Sequence, residues 1–146
     1  MATLFSSPFI EERLYLRGVD MIPKFRAFWL KEKIMTNIYA IYFLEGGIKV
    51  EDGCCYSEFV KDGNVVLMQS TGLFDNSTPK KEIFEGDIVE TIYNGELFTG
   101  VIVYDQEETG FKATNGHNEY GNNFCYLGGN DSNIVIGNIY EHIHLL

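Results

Sequence analysis

The feature that most constrains the fold is the pair Asn94-Gly95, which lies between two stretches with the pattern of β-strands, 87–93 and 97–104. Both residues tolerate the positive φ values that a type I′ hairpin turn requires at its two central positions. The pair therefore predicts a two-residue hairpin, with one strand ending near Tyr93 and the next beginning near Glu96 or Leu97.

Short strand patterns separated by turn residues also occupy most of the chain after Pro23. Asp62-Gly63 is typical of a turn, and the polar stretch 71–81 is typical of an irregular loop. Many short strands with frequent turns predict a mainly β protein, a small antiparallel barrel or sandwich that is SH3-like in its C-terminal part. The predicted strands are 24–29, 38–44, 48–50, 56–60, 65–69, 111–114, 124–127 and 134–140.

The first 23 residues have a different pattern, which predicts one short helix. Ser7 can cap it, and Pro8 suits the first helical position, where the missing N–H costs nothing. Phe9, Ile10 and Leu14 supply an apolar side. Arg17-Gly18 is a suitable end. We therefore divide the chain into an N-terminal extension, 1–23, and a β-rich domain, 24–146.

The net charge of −10 is unevenly placed along the 146 residues. Residues 1–81 are neutral overall, whereas residues 82–146 hold eleven acids and one base, Lys112. This predicts either a solvated acidic surface or a face made for a basic partner, and a smaller basic bias runs from Arg13 to Lys33. An acidic chain of this kind is not expected to bind nucleic acid directly through its phosphates.

The expected location is the cytoplasm. No apolar run approaches the roughly 20 residues of a membrane span, so no membrane association is expected. Met1 to Ser7 lacks the basic start and apolar stretch of a signal peptide. Three cysteines are an odd number and too few for a disulfide framework, which favours a reducing compartment.

Glu85-Gly86-Asp87 is the first candidate for chemistry, because two carboxylates one residue apart can hold a cation or share acid–base work. The structural interpretation is favoured. Gly86 supplies the backbone freedom to swing the chain into a strand, and Asp87 can hydrogen-bond local backbone at the turn.

Cysteine and histidine supply the other candidates. Cys54-Cys55 lacks any zinc-ligand spacing, and we expect these two and Cys125 to be buried, inert thiols. His142 and His144 would share one face of a strand and suit a metal ion given a third ligand, for which His117 is a poor choice. We expect surface histidines instead.

The sequence has no nucleophile elbow, P-loop or dinucleotide fingerprint. We therefore predict no catalytic residues, no cofactor and no metal.

Three parts of the chain together carry a family resemblance: Lys24-Phe25-Arg26-Ala27, the stretch 67–73 followed by 81–89, and Val135 to Glu141. In order and spacing they resemble the YopX family of phage and prophage proteins over 24–146. Departures include Phe28-Trp29 in place of Trp then Asp, and Ser70 in place of an aromatic. The resemblance implies a phage-encoded, β-rich protein made in the bacterial cytoplasm. It implies no reaction.

Three functions remain open. The first is a non-enzymatic protein-binding or assembly module that forms a homo-oligomer or binds a host or phage protein, since 9 Tyr, 11 Phe and 1 Trp are more aromatics than such a domain readily hides. The second is an acidic nucleic-acid mimic that occupies a host DNA-binding protein. The third is a hydrolase or metal enzyme that uses Glu85, Asp87 or the C-terminal histidines. The apolar side of the N-terminal helix would pack either on its own barrel or on a neighbour.

Overall fold

The computed structural model describes residues 23–116, 124–127 and 132–146, and these form twelve strands and two short 3-10 turns. The turns are Val60–Asp62 and Ile143–Leu145. The strands are β1 (Phe25–Trp29), β2 (Ile34–Asn37), β3 (Ala40–Leu44), β4 (Gly47–Glu51), β5 (Ser57–Phe59), β6 (Val65–Phe74), β7 (Glu82–Phe84), β8 (Asp87–Tyr93), β9 (Glu96–Asp105), β10 (Gly110–Thr114), β11 (Phe124–Tyr126) and β12 (Ile134–Asn138).

Every strand pair in the described part is antiparallel, and the strands form three sheets that curl into a half-barrel. Their orders are β2-β1-β6-β7, β3-β4-β5 and β11-β10-β9-β8-β12. The mainly β, antiparallel fold that the sequence predicts is confirmed. The SH3-like arrangement stays a prediction, and the predicted helix at Ser7–Arg17 lies outside the described residues.

The hairpin prediction is confirmed in detail. Tyr93 at the end of β8 is the register partner of Glu96 at the start of β9, which leaves two residues in the loop. Asn94 has φ 51° and Gly95 has φ 80°, the two positive values of a type I′ turn. Local turn chemistry alone was sufficient to locate this element.

Several strand bounds differ from the prediction. β2 and β7 were not predicted, β3 begins at Ala40 rather than at residue 38, and β12 ends at Asn138 rather than at residue 140. β6 runs to Phe74 through a stretch predicted to be irregular, with a register shift between Ser70 and Phe74 where Gly72 has φ 77°. The polar side chains there sustain the pairing, since the Thr71 hydroxyl donates to the Ile83 carbonyl at 2.8 Å.

β1 separates two environments by strand alternation. Ala27 and Trp29 face a core that Val50 of β4 and Val65 of β6 complete. Arg26 and Phe28 lie on the opposite face, because consecutive side chains of a strand point to opposite sides. A second core packs against the five-stranded sheet β11-β10-β9-β8-β12, called the C-terminal sheet below. It consists of Ile83, Val89, Phe98, Ile102, Ala113 and Leu127.

Glu85-Gly86-Asp87 is the corner at which the chain passes from β7 of the four-stranded sheet to β8 of the C-terminal sheet. Gly86 has φ 79°, donates its N–H to the Ile102 carbonyl and accepts from the Ile139 N–H, each at 2.9 Å. A side chain at Gly86 would also lie 3.1 Å from the Met68 sulfur. The corner therefore needs glycine for its backbone conformation and for its close packing.

Hydrogen bonds to the Asp75 carboxylate connect the loop that follows β6 with strand β12. Its side chain is buried, and its Oδ1 accepts from the backbone N–H groups of Ser77 and Lys81 at 3.1 and 2.8 Å. Oδ2 accepts from the Val135 N–H at 2.9 Å. Burial opposes ionisation, yet these hydrogen bonds and that of the Ser77 hydroxyl hold the pKa of Asp75 below its ordinary value of 3.8.

Candidate protein-binding groove

A groove of about 830 Å³ lies between the three-stranded sheet and the four-stranded sheet. Its volume falls in the range of ordinary binding pockets, and its walls are mostly apolar. The apolar wall residues are Phe25, Ile38, Ala40, Ile41, Phe43, Ile48, Leu67 and Phe84, and the remaining lining residues are Pro23, Lys24, Asn37, Tyr39 and Glu82.

The groove arises because one face of the β3-β4 hairpin extends past the core that it covers. Ile41 is the register partner of Val50, and Phe43 is the partner of Ile48, so the four side chains share that face. Val50 is fully buried in the core, whereas Phe43 is 82% exposed. The half of this face that holds Val50 covers the core. The half that holds Phe43 extends past the core and forms one wall of the groove.

Two aromatic side chains at the groove are almost fully exposed, Phe43 at 82% and Tyr39 at 83%. Leaving a phenylalanine in water forgoes about 2–3 kcal/mol of burial free energy. Grouped exposed apolar residues of this kind are typical of surfaces that bind another protein. Part of the aromatic excess in the sequence is thus located at this groove.

Sequence reasoning did not locate the groove. The available signal was the run Ile41-Tyr42-Phe43-Leu44, which is apolar on both faces of a strand. Such a strand is either buried on both faces or exposes one of them, and only the arrangement of the sheets decides which.

The charges at the groove balance. Lys24 Nζ lies 3.4 Å from Glu82 Oε1, and both residues line the groove. An exposed pair of this kind contributes at most about 1 kcal/mol and is screened by salt. The groove therefore favours an apolar ligand segment over a strongly charged one.

A buried ion pair between Arg26 and Asp87 contacts Phe84, which forms part of the groove wall. Arg26 Nη2 lies 2.6 Å from Asp87 Oδ1, and Asp87 Oδ2 accepts from the Phe84 N–H at 2.8 Å. The Arg26 guanidinium also lies over the Phe84 ring, 4.8 Å from its centre. Since Phe84 lines the groove, this pair positions one of its walls. Burial raises the pKa of Asp87, and the positive charge of Arg26 offsets part of that rise.

Both carboxylates of the Glu85-Gly86-Asp87 candidate therefore bind the protein's own backbone. Glu85 Oε1 accepts from the Gln69 N–H at 2.9 Å, as Asp87 accepts from Phe84. This is the structural role that the sequence favours for the motif. The Arg26 partner of Asp87 was not predicted, because the two residues are 61 positions apart in the chain.

The expectation that Cys54 and Cys55 are buried is wrong: both are exposed. They lie in a turn rather than a strand, because Asp52 Oδ1 accepts from the N–H groups of Cys54, Cys55 and Tyr56. The contact with Cys54 raises the pKa of the Cys55 thiol, which disfavours a reactive thiolate. The side chain of Cys125 lies outside the described part of the chain.

His142 and His144 do not share a strand face, because the chain turns after β12. Asn138 Oδ1 accepts from the N–H groups of Tyr140 and Glu141, and His142 Nδ1 accepts from the Asn138 N–H at 3.2 Å. His142 is thus engaged in the turn. Within the ranges that the structure describes, no three His, Cys, Asp or Glu side chains are grouped to hold a metal ion, and His117 lies outside those ranges.

Some of the acidic residues of the C-terminal part are paired with bases. Glu82 pairs with Lys24, Asp87 with Arg26, and Asp105 with Lys112 at 2.8 Å. These pairs reduce the number of carboxylates that can imitate a row of phosphates. The nucleic-acid mimic stays a prediction.

No helix among the described residues is long and apolar enough to cross a membrane.

The fold and the groove define a class, a β-rich antiparallel domain with an exposed apolar cleft between two of its sheets. The family model described as YopX protein matches residues 24–146, so the chain belongs to the YopX family, as the sequence resemblance predicts. Among solved structures, the crystal structure of protein EF1440 from Enterococcus faecalis is 28% identical, with a TM-score of 0.54 over 86% of this chain and 98% of that chain. A comparison with curated proteins gave no match.

Proposed function

We propose that this YopX-family protein is a non-enzymatic protein-binding and assembly module that self-associates. The observation that supports the proposal is the apolar groove with Phe43 and Tyr39 exposed at its mouth. Aromatic side chains are enriched at protein contacts, and a cleft of this size accepts several of them. The biological setting that we propose is that of a phage-encoded accessory protein in the cytoplasm of its bacterial host.

The engagement of the ionisable candidates also favours binding over catalysis. Asp75, Glu85 and Asp87 accept backbone hydrogen bonds, and His142 accepts one as well. A general acid or base must instead reach a substrate atom with its proton-carrying oxygen or nitrogen. None of these four groups lines the groove.

The expected strength of self-association follows from the groove. Burial of Phe43 from its 82% exposed state contributes about 2 kcal/mol in each subunit. A symmetric dimer buries two copies of the groove, and neighbouring apolar residues add to this term. The entropy cost of association takes up part of the gain. We therefore expect a dimer with a dissociation constant in the micromolar range.

Sedimentation equilibrium across the micromolar range tests the proposal. We expect the wild-type chain to form an oligomer of its 16.6 kDa subunit. Phe43→Ser should weaken it about 1,000-fold, because the two substituted subunits together lose about 4 kcal/mol and each 1.4 kcal/mol changes the constant tenfold. The matched control is Phe74→Ser, since Phe74 is also exposed, at 55%, but does not line the groove. A mass of one subunit at every concentration contradicts the proposal.

A further inference from the structure

The adjacent cysteines Cys54 and Cys55 bring two thiols together at the protein surface. Their Sγ atoms lie 2.7 Å apart, and both residues are exposed. Both also line an open pocket of about 380 Å³, which lies beside the groove since Tyr39 lines the two cavities. A small molecule that enters this pocket therefore meets both sulfurs.

The turn that contains the two cysteines positions their sulfurs. Asp52 Oδ1 accepts from the N–H groups of Cys54 and Cys55, each at 2.9 Å, and from that of Tyr56 at 3.0 Å. Gly53 enters the turn with φ 82°. In a strand, consecutive side chains would point to opposite sides, whereas this turn brings the two thiols into contact. The pairing of the sulfurs is thus a product of the local fold.

Little movement separates the two thiols from a disulfide bond. An S–S bond is about 2.05 Å long, so the sulfurs at 2.7 Å must approach by roughly 0.7 Å. The Cα atoms of neighbouring residues are at most about 3.8 Å apart, less than the roughly 4.4–6.8 Å usual for disulfides. A bond closed across so short a span is strained, and reductants open strained, exposed disulfides readily. The pair therefore suits a reversible reaction rather than a structural cross-link.

The two thiols have different roles in such a reaction. The hydrogen bond with the Cys54 sulfur raises the pKa of the Cys55 thiol, so Cys55 stays protonated at neutral pH. A thiolate, not a thiol, attacks a disulfide. We therefore assign the first attack to Cys54 and the resolution of the mixed disulfide to Cys55.

The charges around the pocket favour one type of disulfide. Glu51 lines the pocket, and the Asp52 carboxylate binds the backbone of both cysteines. Lys49 lies 3.8 Å from Glu51 and offsets part of this negative charge. Since an excess of acidic groups attracts cations, a cationic disulfide should react faster than an anionic one.

We propose that Cys54 and Cys55 form a redox-reactive dithiol that small, cationic organic disulfides oxidise. The Cys54 thiol loses its proton, and its sulfur attacks the reagent, whose S–S bond breaks and releases one thiolate. Cys55 then loses its proton, and its sulfur attacks that of Cys54, which forms the intrachain disulfide and releases the second thiolate. The two protons convert these thiolates to thiols. Two protein thiols are thus oxidised by two electrons in total, and one reagent disulfide is reduced.

Mass spectrometry of the full-length protein treated with cystamine, a cationic disulfide, tests the proposal. Free thiols are then blocked with iodoacetamide, and trypsin cleavage after Lys49 and Lys61 leaves both cysteines in the peptide 50–61, apart from Cys125. We expect this peptide to escape alkylation and to be about 2 Da lighter than its reduced form, because two hydrogens are lost. Dithiothreitol should reverse the change. A fully alkylated peptide, or one that carries cysteamine on both sulfurs, overturns the proposal.

Three comparisons test the assigned roles and the charge preference. In Cys55→Ser we expect Cys54 to retain cysteamine as a stable mixed disulfide, because the resolving thiol is absent. A limiting amount of iodoacetamide on the reduced wild type should alkylate mainly Cys54, and a label mainly on Cys55 overturns the assigned order. Oxidised glutathione, which is anionic, should react more slowly than cystamine, and a faster reaction overturns the preference for cations.

Asp52→Ala and Asp52→Asn test whether the turn positions the thiols. Both substitutions remove the charge, but only asparagine retains an oxygen that can accept from the N–H groups of Cys54 and Cys55. We expect the intrachain disulfide to form about tenfold more slowly in Asp52→Ala than in Asp52→Asn, because the turn loses its hydrogen bonds. Equal rates in the two variants would overturn the claim that the fold positions the dithiol.

Discussion

The most demanding prediction for the fold concerns the ion pair behind the groove. Arg26→Met removes the charge but keeps an apolar stem beside Phe84, so it leaves Asp87 without its partner. The Asp87 side chain is 2% exposed and that of Arg26 is 13% exposed, so water cannot replace the lost contact. Removing one partner of a buried pair costs about 3–5 kcal/mol. We expect a loss of free energy of unfolding in that range.

Urea unfolding followed by Trp29 fluorescence measures the loss, because Trp29 is the single tryptophan of the chain and is fully buried in the first core. Lys24→Met is the control, since it breaks the exposed pair with Glu82 and should cost less than about 1 kcal/mol. Equal losses for Arg26→Met and Lys24→Met would refute the buried-pair argument.

Two further readouts sharpen the experiment. Asp87→Asn combined with Arg26→Met should cost less than the two single losses together, because an asparagine oxygen still accepts from the Phe84 N–H while no charge is buried. In Arg26→Met alone the pKa of Asp87 should rise further above 3.8, since the lowering influence of Arg26 is gone. The free energy of unfolding of that variant therefore falls as pH rises from 3.8 to the raised pKa of Asp87, because in this range the folded state binds more protons than the unfolded state.

Three further predictions concern the turn, the loop and the extension. Gly95→Val places a β-branched residue at φ 80° and should cost about 1–2 kcal/mol by urea unfolding. Asp75→Asn should destabilise the protein above pH 3.8, and the cost should shrink as pH falls further, because the pKa of Asp75 is lowered in the folded state. Deleting residues 1–22 should dissociate the oligomer in sedimentation, with circular dichroism checking that the sheets persist.

The elements found from sequence are those that local chemistry determines. Asn94-Gly95 fixed the hairpin because both residues suit positive φ, and Gly86 fixed the corner for the same reason. In each case the deciding interaction lies within a few residues along the chain.

The missed features depend on residues that are distant in sequence. Arg26 meets Asp87 across 61 positions, and the short strand β7 exists because it pairs with β6. Cys54 and Cys55 are exposed because Asp52 organises their turn, which composition alone did not show. The groove requires two sheets to be placed side by side, and no pattern in a single segment specifies that placement.

Self-association is the central claim, and the molar mass of the full-length chain in solution tests it most directly. Light scattering should be measured from about 1 to 100 μM protein, at low and at high salt, since an apolar contact is little affected by screening. The account predicts twice the subunit mass of 16.6 kDa at the upper concentrations in both salts. A mass of 16.6 kDa throughout the range would contradict it.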